Sequence, residues 1–192
     1  MKSVLALILA TLSLLAGCAS PPPAPGCTRL GPDGVFCALP PAALPVVSAT
    51  HLVTVTHAGE SQSFIGRLQI DNRQLRLAGL SLFGPELFTL DYDGRQLVSH
   101  SVDRKLRPEL LLAMLELTLA PAAELPPQLR NLTLNVSTEG QRQVRELTSH
   151  GRLVARIEIS GSTLSTADIN IVIPPAKLAL QLAPLAAAGP AP

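Results

Sequence analysis

Large aromatic side chains are scarce in this sequence, which has no tryptophan, one tyrosine and four phenylalanines in 192 residues. Two of those phenylalanines, Phe83 and Phe88, nevertheless fall within six residues of each other. Phe83 directly precedes Gly84-Pro85, a pair that marks a turn. Its side chain either points outward as an exposed apolar wedge or folds back as a lid over the core, and the sequence leaves both interpretations open.

An excess of positive charge is also absent, because 15 lysines and arginines stand against 14 aspartates and glutamates. The chain therefore has no basic footprint of the kind that a nucleic-acid-binding domain shows. It contains no GxSxG, HExxH or P-loop pattern. We expect no nucleic-acid partner, no enzymatic activity, no cofactor and no metal site. The four histidines fall at the ends of predicted strands or in turns, where such side chains are usually solvated: His51, His57, His100 and His150.

The N-terminal residues have the pattern of a bacterial lipoprotein signal. Lys2 supplies a short positive region, and residues 4–15 form an apolar stretch that is too short to cross a membrane as a helix. The stretch closes on the letters LAGC, ending at Cys18, which look like a lipobox. We expect residues 1–17 to be a signal peptide and Cys18 to be acylated, for example with palmitate. Because Ala19 rather than an aspartate follows, the pattern indicates the periplasmic face of the outer membrane in a Gram-negative host. The alternative is an ordinary secretory signal with a chance cysteine.

Residues 18–50 are rich in proline and nearly uncharged. This composition is typical of an extended tether between a lipid anchor and a folded domain. Cys27 and Cys37 lie ten positions apart inside the segment. In an oxidising periplasm, two cysteines that remain after lipidation are more often bridged than free, so we expect a structural disulfide. The rival interpretation, a redox or metal site of the CxxC type, lacks both the spacing and nearby histidines.

From residue 51 onward, apolar residues alternate with polar residues in short runs that are separated by turn signals. One of these signals, Asp93-Gly94, predicts a two-residue hairpin. The pattern predicts an antiparallel meander in one domain over residues 51–183, followed by a disordered tail rich in alanine and proline over residues 184–192. The predicted strands cover residues 51–57, 63–70, 74–80, 87–92, 96–102, 132–136, 141–148, 153–159, 169–173 and 178–182.

One segment departs from the alternation. Pro108 and Glu109 suit the first turn of a helix, and the leucine-rich run that follows is apolar nearly all round, so a helix over residues 108–119 should be buried. A curved antiparallel sheet needs its concave face filled, and this helix is the only predicted element able to fill it. If the filling is incomplete, an apolar cavity remains. The candidates for its lining are Leu75, Leu77, Leu111, Met114, Leu115 and Ile157.

The order of these features carries a resemblance. A lipobox is followed by strands, the stretch GLSLFGPELF at residues 79–88, an Asp-Gly hairpin, a central helix and further strands. This order resembles a family of uncharacterised bacterial lipoproteins that are often met in aryl-polyene biosynthesis clusters. It is also distantly similar to LolB, the outer-membrane lipoprotein receptor, over residues 64–160. The resemblance implies a mainly β fold, an open antiparallel half-barrel of the LolA/LolB type, with a helical segment on the concave face and an apolar cavity for acyl chains.

In LolB-like proteins, a loop between strands presents an exposed leucine before a glycine, and that leucine enters the membrane. The matching positions here are Leu82, Phe83 and Gly84, which we expect to form a membrane-insertion loop. The resemblance implies an outer-membrane lipoprotein that binds a lipid or acylated cargo, supplied by a LolA-like periplasmic carrier, and helps to insert it into the outer membrane. The alternative is a non-catalytic accessory lipoprotein of an export or biosynthesis machine that binds no lipid.

Overall fold

The computed structural model describes residues 26–102 and 107–185. The predicted signal peptide, the lipidation site Cys18 and the predicted tail beyond residue 185 lie outside the described residues. The helix α1 spans Pro108–Leu119, and short 3-10 turns span Pro41–Ala43, Ala122–Glu124, Pro126–Gln128 and Pro174–Ala176. The strands are β1 (Cys27–Leu30), β2 (Gly34–Cys37), β3 (Val47–His57), β4 (Glu60–Ile70), β5 (Leu75–Leu80), β6 (Glu86–Tyr92), β7 (Leu97–Ser101), β8 (Leu129–Arg130), β9 (Thr133–Glu139), β10 (Arg142–Ser149), β11 (Arg152–Ser160), β12 (Asp168–Ile173) and β13 (Leu178–Pro184).

Ten of the strands form one antiparallel sheet in the order β7-β6-β5-β4-β3-β13-β12-β11-β10-β9. The two halves, β3 to β7 and β9 to β13, are each a meander of consecutive hairpins, and they join where β3 pairs with β13. The outermost strands, β7 and β9, do not pair with each other, so the sheet stays an open half-barrel. The predicted fold class, mainly β with an open antiparallel sheet and a helix, is confirmed.

Helix α1 connects the two halves of the chain and packs against the inward face of the sheet. It begins at Pro108, where a missing amide N–H is harmless because the first turn has no intrahelical acceptor for it. It ends at Leu119, shortly before Pro121. Its buried side chains share one core cluster with inward-facing side chains of both halves, such as Leu90 on β6 and Ile157 on β11. The helix is thus an internal layer of the domain.

Residues 26–50 are folded, which corrects that part of the tether predicted over residues 18–50; residues 18–25 lie outside the described residues. Strands β1 and β2 form a hairpin that pairs with β8 in a separate three-stranded sheet, and β1 packs against α1. The tether was predicted from the high proline content of the segment. The apolar residues between the prolines bury enough surface to order it. Strand β3 also begins at Val47 rather than at residue 51. The side chains of this segment that lie in the core are Leu30, Phe36, Leu39 and Leu44.

The connection between β6 and β7 has four residues, 93–96, instead of the predicted two. Asp93 explains the difference, because its carboxylate accepts hydrogen bonds from the amides of Arg95 and Gln96 at 2.8 and 2.7 Å. These amides hold the pKa of Asp93 below its usual value. Asp71 closes the β4–β5 turn by the same kind of contact. The acidic side chain therefore sets the length of both turns by capping the backbone.

Candidate functional site

A small apolar cavity, which we call the concave cavity, lies between α1 and the inward face of the sheet. Its volume is about 50 Å³. Strands β3, β4, β5, β12 and β13 supply most of the wall, α1 closes one side, and the loop between β11 and β12 contributes one leucine. The lining residues that matter below are His51, Gly66, Leu77, Leu115, Thr118 and Leu164.

Only part of the predicted lining surrounds this cavity. Leu77 and Leu115 lie in its wall. Apolar cavities that hold a benzene molecule are on the order of 150 Å³, so the concave cavity is small. The other predicted lining residues pack into or against the core: Leu75, Leu111, Met114 and Ile157.

His51 corrects the expectation that every histidine lies at a strand end in solvent. It lies inside β3, and only 6% of its surface is exposed. Ala49 and Val53 share its face of the strand and are buried, so the period-two pattern of β3 already indicated an inward side chain here. Burial lowers the pKa of His51, so the ring is neutral at pH 7. The other three histidines are exposed: His57, His100 and His150.

The turn between β5 and β6 presents two apolar side chains to solvent. Phe83 is 95% exposed and Leu82 is 55% exposed. The amides of Gly84 and Phe83 donate to the carbonyl and hydroxyl oxygens of Ser81, at 3.0 and 3.2 Å. The Ser81 amide in turn donates to the Pro85 carbonyl at 2.7 Å. Gly84 has a φ of +106°, which glycine adopts without strain. The turn is thus braced internally, and Phe83 points outward.

Phe88 has the opposite environment. It lies in β6, is 7% exposed, and meets the Phe64 ring edge to face with the ring centroids 5.4 Å apart. Gly79 is its cross-strand partner on β5, and a Cβ at Gly79 would overlap the Phe88 ring. The ring therefore occupies the space that the glycine leaves. Of the two phenylalanines that are close in sequence, one belongs to the core and the other to the surface.

Val102 adds a third exposed apolar side chain near this turn. It is 75% exposed, and its amide donates to the Leu87 carbonyl at 3.0 Å, beside the start of β6. The β5–β6 turn immediately precedes that point. Leu82, Phe83 and Val102 therefore lie at the same end of neighbouring strands, and we call these three residues the apolar end. Large exposed apolar patches mark contact with a membrane or another protein, so the apolar end is a candidate for such a contact.

A buried glutamate holds α1 to the N-terminal segment. Glu116 has no exposed surface, and its Oε2 accepts a hydrogen bond from the Leu39 amide at 2.9 Å. Its Oε1 has no hydrogen-bond partner in the part of the chain that the structure describes. Burial raises the pKa of Glu116 to about 8, against a smaller opposing effect of the Leu39 amide. The pKa of Tyr92 is raised to about 12, first by burial and then by the neighbouring Glu116.

A buried arginine holds the C-terminal end of α1, close to Glu116. Arg145 on β10 is 6% exposed, and its Nη1 donates to the carbonyls of Leu117 and Ala120 at 2.8 Å each. The last carbonyls of a helix lack intrahelical partners and favour a positive charge, so Arg145 caps the helix. Neither Arg145 nor Glu116 was predicted from the sequence as a functional or structural site. The signal for Glu116 is a charged residue inside an otherwise apolar helix. Arg145 has no such signal, because Gln143 and Ser149 share its face of β10.

Cys27 and Cys37 are joined by a disulfide, with their Cα atoms 4.0 Å apart. The two cysteines are directly paired across the β1–β2 hairpin. Leu39 follows Cys37 by two positions, so the disulfide and the hydrogen bond to Glu116 hold the same segment.

Within residues 26–102 and 107–185, no helix is long and apolar enough to cross a membrane. The same residues contain no cluster of three or more histidine, cysteine, aspartate or glutamate side chains that could hold a metal ion. The concave cavity offers an apolar wall with one neutral imidazole, that of His51. The apolar end offers an exposed aromatic ring, that of Phe83, on a turn held by hydrogen bonds.

A family profile described as "Protein of unknown function (DUF3261)" matches residues 48–186. The match runs from the second residue of β3 through β13, so it covers α1, the concave cavity and the apolar end. The chain belongs to the DUF3261 family. No curated protein matches the chain. The N-terminal hairpin of β1 and β2, which packs on α1, lies outside the span that matches the DUF3261 profile.

Proposed function

We propose that this DUF3261 protein is an outer-membrane lipoprotein that binds a lipid or acylated cargo on its concave side and helps to insert it into the outer membrane. In this proposal Cys18 carries the lipid anchor, the domain faces the periplasm, and a LolA-like carrier supplies the cargo. The observation that carries the proposal is the 95% exposure of Phe83 on a turn that is braced by hydrogen bonds.

The apolar end is suited to brief contact with a bilayer. Transfer of one phenylalanine side chain from water to an apolar phase yields about 1.5–3 kcal/mol, and Leu82 and Val102 add apolar surface beside Phe83. This free energy is too small to anchor a protein alone, but a lipid on Cys18 would supply the anchor. Because the turn already holds Phe83 outward, little additional ordering is needed when it enters the membrane.

The cargo would enter beside α1. The concave cavity of about 50 Å³ is large enough for only the end of a chain, so a longer chain requires α1 to move away from the sheet. The half-buried Leu111 on α1 would then offer further apolar surface. Several residues of the cavity wall are half-buried, which supports an opening to the surface: Leu68, Leu115, Leu164 and Leu182.

Liposome flotation tests the insertion role. The chain with Cys18→Ser, which has no acyl anchor, is compared with the same chain carrying Phe83→Glu. We expect Phe83→Glu to reduce co-flotation several-fold, because a charged side chain enters an apolar phase poorly. Its stability should stay within about ±0.5 kcal/mol, as for other surface substitutions.

Val46→Glu is the matched control for this experiment. Val46 is 69% exposed and directly precedes β3, level with the β4–β5 turn and thus at the end of the sheet opposite to Phe83. The same change of charge at Val46 should leave flotation unchanged. Equal flotation of the Phe83→Glu chain and its parent would contradict the insertion role.

A second candidate function is that of an accessory lipoprotein of an export or biosynthesis machine that binds no lipid. The small volume of the concave cavity and the close packing of α1 favour it. Native mass spectrometry of the Cys18→Ser chain separates the two functions. A cargo-binding protein retains co-purified lipid or takes up added fatty acid, whereas an accessory protein stays lipid-free.

A further inference from the structure

The wall of the concave cavity contains one polar side chain with an unused hydrogen-bonding atom. His51 is 6% exposed and lines the cavity. Its Nε2 is buried and has no hydrogen-bond partner among the described residues. A buried nitrogen without a partner costs free energy that an apolar side chain at the same position would not cost. The position therefore indicates a ligand that supplies the missing hydrogen bond.

A glycine leaves room beside this imidazole. Gly66 on β4 is the cross-strand partner of His51 and also lines the cavity. A Cβ on Gly66 would come within 3.0 Å of Val53 Cγ2, so even an alanine would crowd this wall. Among the described residues that line the wall, the only other polar side chain is that of Thr118, whose hydroxyl donates to the Met114 carbonyl at 2.7 Å. The unpaired nitrogen thus faces surroundings that are otherwise apolar or already paired.

Burial has the largest effect on the pKa of His51 and lowers it. The backbone of Ala167 and Leu164, in the loop between β11 and β12, acts in the opposite direction and raises this pKa. The charged group that acts on the ring is the exposed Asp168 at the start of β12, and its effect is smaller than that of burial. A neutral imidazole has one nitrogen that donates and one that accepts. When Nε2 is the accepting nitrogen, its missing partner is a group that carries a hydrogen.

We propose that Nε2 of His51 accepts a hydrogen bond from the terminal O–H of a single-chain apolar ligand in the concave cavity, namely a long-chain alcohol or a protonated fatty acid. This inference rests on the proposed function, because it names the chemical group of the cargo that enters the cavity. Ionised carboxylates and phosphates do not fit, since a carboxylate has no hydrogen to donate and an apolar wall disfavours charge. The rest of the chain leaves past the half-buried Leu115 and Leu164.

An ordered water is the competing occupant of the site. A buried water needs two to four polar partners. The side chains of the wall offer Nε2 of His51 and the Thr118 oxygen, and the latter already donates its hydrogen elsewhere. A water there would have at most these two side-chain partners, whereas a ligand with one O–H group pairs with Nε2 and also places an apolar body against the apolar wall.

The test measures binding of two matched pairs of probes to the full chain with Cys18→Ser. The pairs are 1-decanol with decyl methyl ether, and decanoic acid with methyl decanoate. Within at least one pair, we expect the O–H probe to bind about tenfold more tightly than its methylated partner, the factor expected for one hydrogen bond. The pair that shows the preference identifies the cargo group as alcohol or acid. The ¹⁵N resonance of His51 Nε2 should shift with the O–H probe and not with its partner.

Two variants complete the test. His51→Leu should abolish the preference within the pair while keeping the affinity for the methylated probe. His57→Leu, at an exposed position at the end of the same strand, should keep the preference. Equal binding of both members of each pair by the parent chain overturns this inference and leaves the cargo-binding proposal standing. No binding of any probe overturns both. If His51→Leu does not fold, an Nε2 resonance that responds equally to both members of a pair overturns the inference.

Discussion

The backbone N–H of Leu39 donates a 2.9 Å hydrogen bond to the side chain of Glu116, across 77 positions of sequence and inside the core. Leu39 lies two residues beyond the disulfide-bonded Cys37, and Glu116 lies within α1. The bond therefore ties the N-terminal hairpin to the helix that fills the sheet. Because the second oxygen of Glu116 has no partner among the described residues, the Leu39 amide compensates ionisation of the carboxyl only in part.

The first prediction concerns the pH dependence of stability. Burial raises the pKa of Glu116 to about 8 in the folded chain, from an ordinary value of 4.5. Between these values the folded state binds one proton more than the unfolded state, so the free energy of unfolding falls as pH rises through this range. Glu116→Gln removes this titration. Over the same range, we expect the wild type to lose on the order of a few kcal/mol more stability than the variant, at about 1.4 kcal/mol per pKa unit.

Urea denaturation between pH 5 and pH 9 measures both profiles, with Glu109→Gln as the matched control. Glu109 lies on the same helix but is exposed, so its variant should follow the wild-type profile. The lowered pKa of His51 acts in the opposite direction, because it makes stability rise with pH near neutrality. The difference between wild type and Glu116→Gln cancels this effect. Parallel profiles for those two proteins would mean that Glu116 ionises freely in the folded state.

The second prediction contrasts two phenylalanines that are close in sequence. Phe88→Ala should cost about 3–5 kcal/mol, because it empties a ring-sized space beside Gly79 and removes the contact with Phe64. Phe83→Ala should stay within about ±0.5 kcal/mol, because the ring is 95% exposed. Chemical denaturation of the two variants under one set of conditions makes the comparison. A loss of several kcal/mol for Phe83→Ala would show that this ring packs onto the domain in solution.

The third prediction concerns the disulfide. The double variant Cys27→Ser/Cys37→Ser opens a loop with a sequence separation of 10 residues, so it should lose somewhat under ~3 kcal/mol. The loss should be local, because the large sheet does not depend on this bridge for its strand pairing. Hydrogen exchange should therefore speed up in residues 26–38 more than in β3 and β13. Equal loss of protection in both regions would indicate that the hairpin and the sheet unfold as one unit.

The fourth prediction concerns the anchor. We expect Cys18 to incorporate labelled palmitate and the protein to fractionate with the outer membrane. Cys18→Ser should abolish both. The Cys27→Ser/Cys37→Ser chain is the matched control and should keep its label, because those cysteines are bonded to each other. An unlabelled, soluble periplasmic product from the wild-type gene would contradict the anchor and, with it, the proposed delivery to the membrane.

Local pattern alone was enough to predict the large sheet and its helix. In β11, the inward positions repeat every two residues, and the strand predicted over 153–159 spans Arg152–Ser160. The helix runs from Pro108 to Leu119, the residues predicted for it. These predictions succeeded because each half of the sheet pairs strands that are neighbours in sequence, so the information that defines each strand and turn is local.

Residues whose partners are distant could not be placed in this way. Residues 26–46 fold into a layer rather than a tether because α1 offers them an apolar surface to pack on. The amino-acid composition of the segment cannot show that this surface exists. The burial of Glu116 depends on Leu39, and that of Arg145 on the end of α1. His51 was predicted to be solvated because the strand was expected to begin at residue 51. Strand β3 begins at Val47 instead, so His51 lies inside the sheet.

By itself, the sequence determined that one scarce phenylalanine lies on a turn and another in the strand that follows. Only the tertiary structure decided that they face in opposite directions. Phe88 points inward because Gly79, on the neighbouring strand, leaves space that a ring can fill. Phe83 points outward because the oxygens of Ser81 hold the turn in a conformation that offers its side chain no surface to pack on. Packing across the strands therefore sets the direction of Phe88, whereas hydrogen bonds within the turn set that of Phe83.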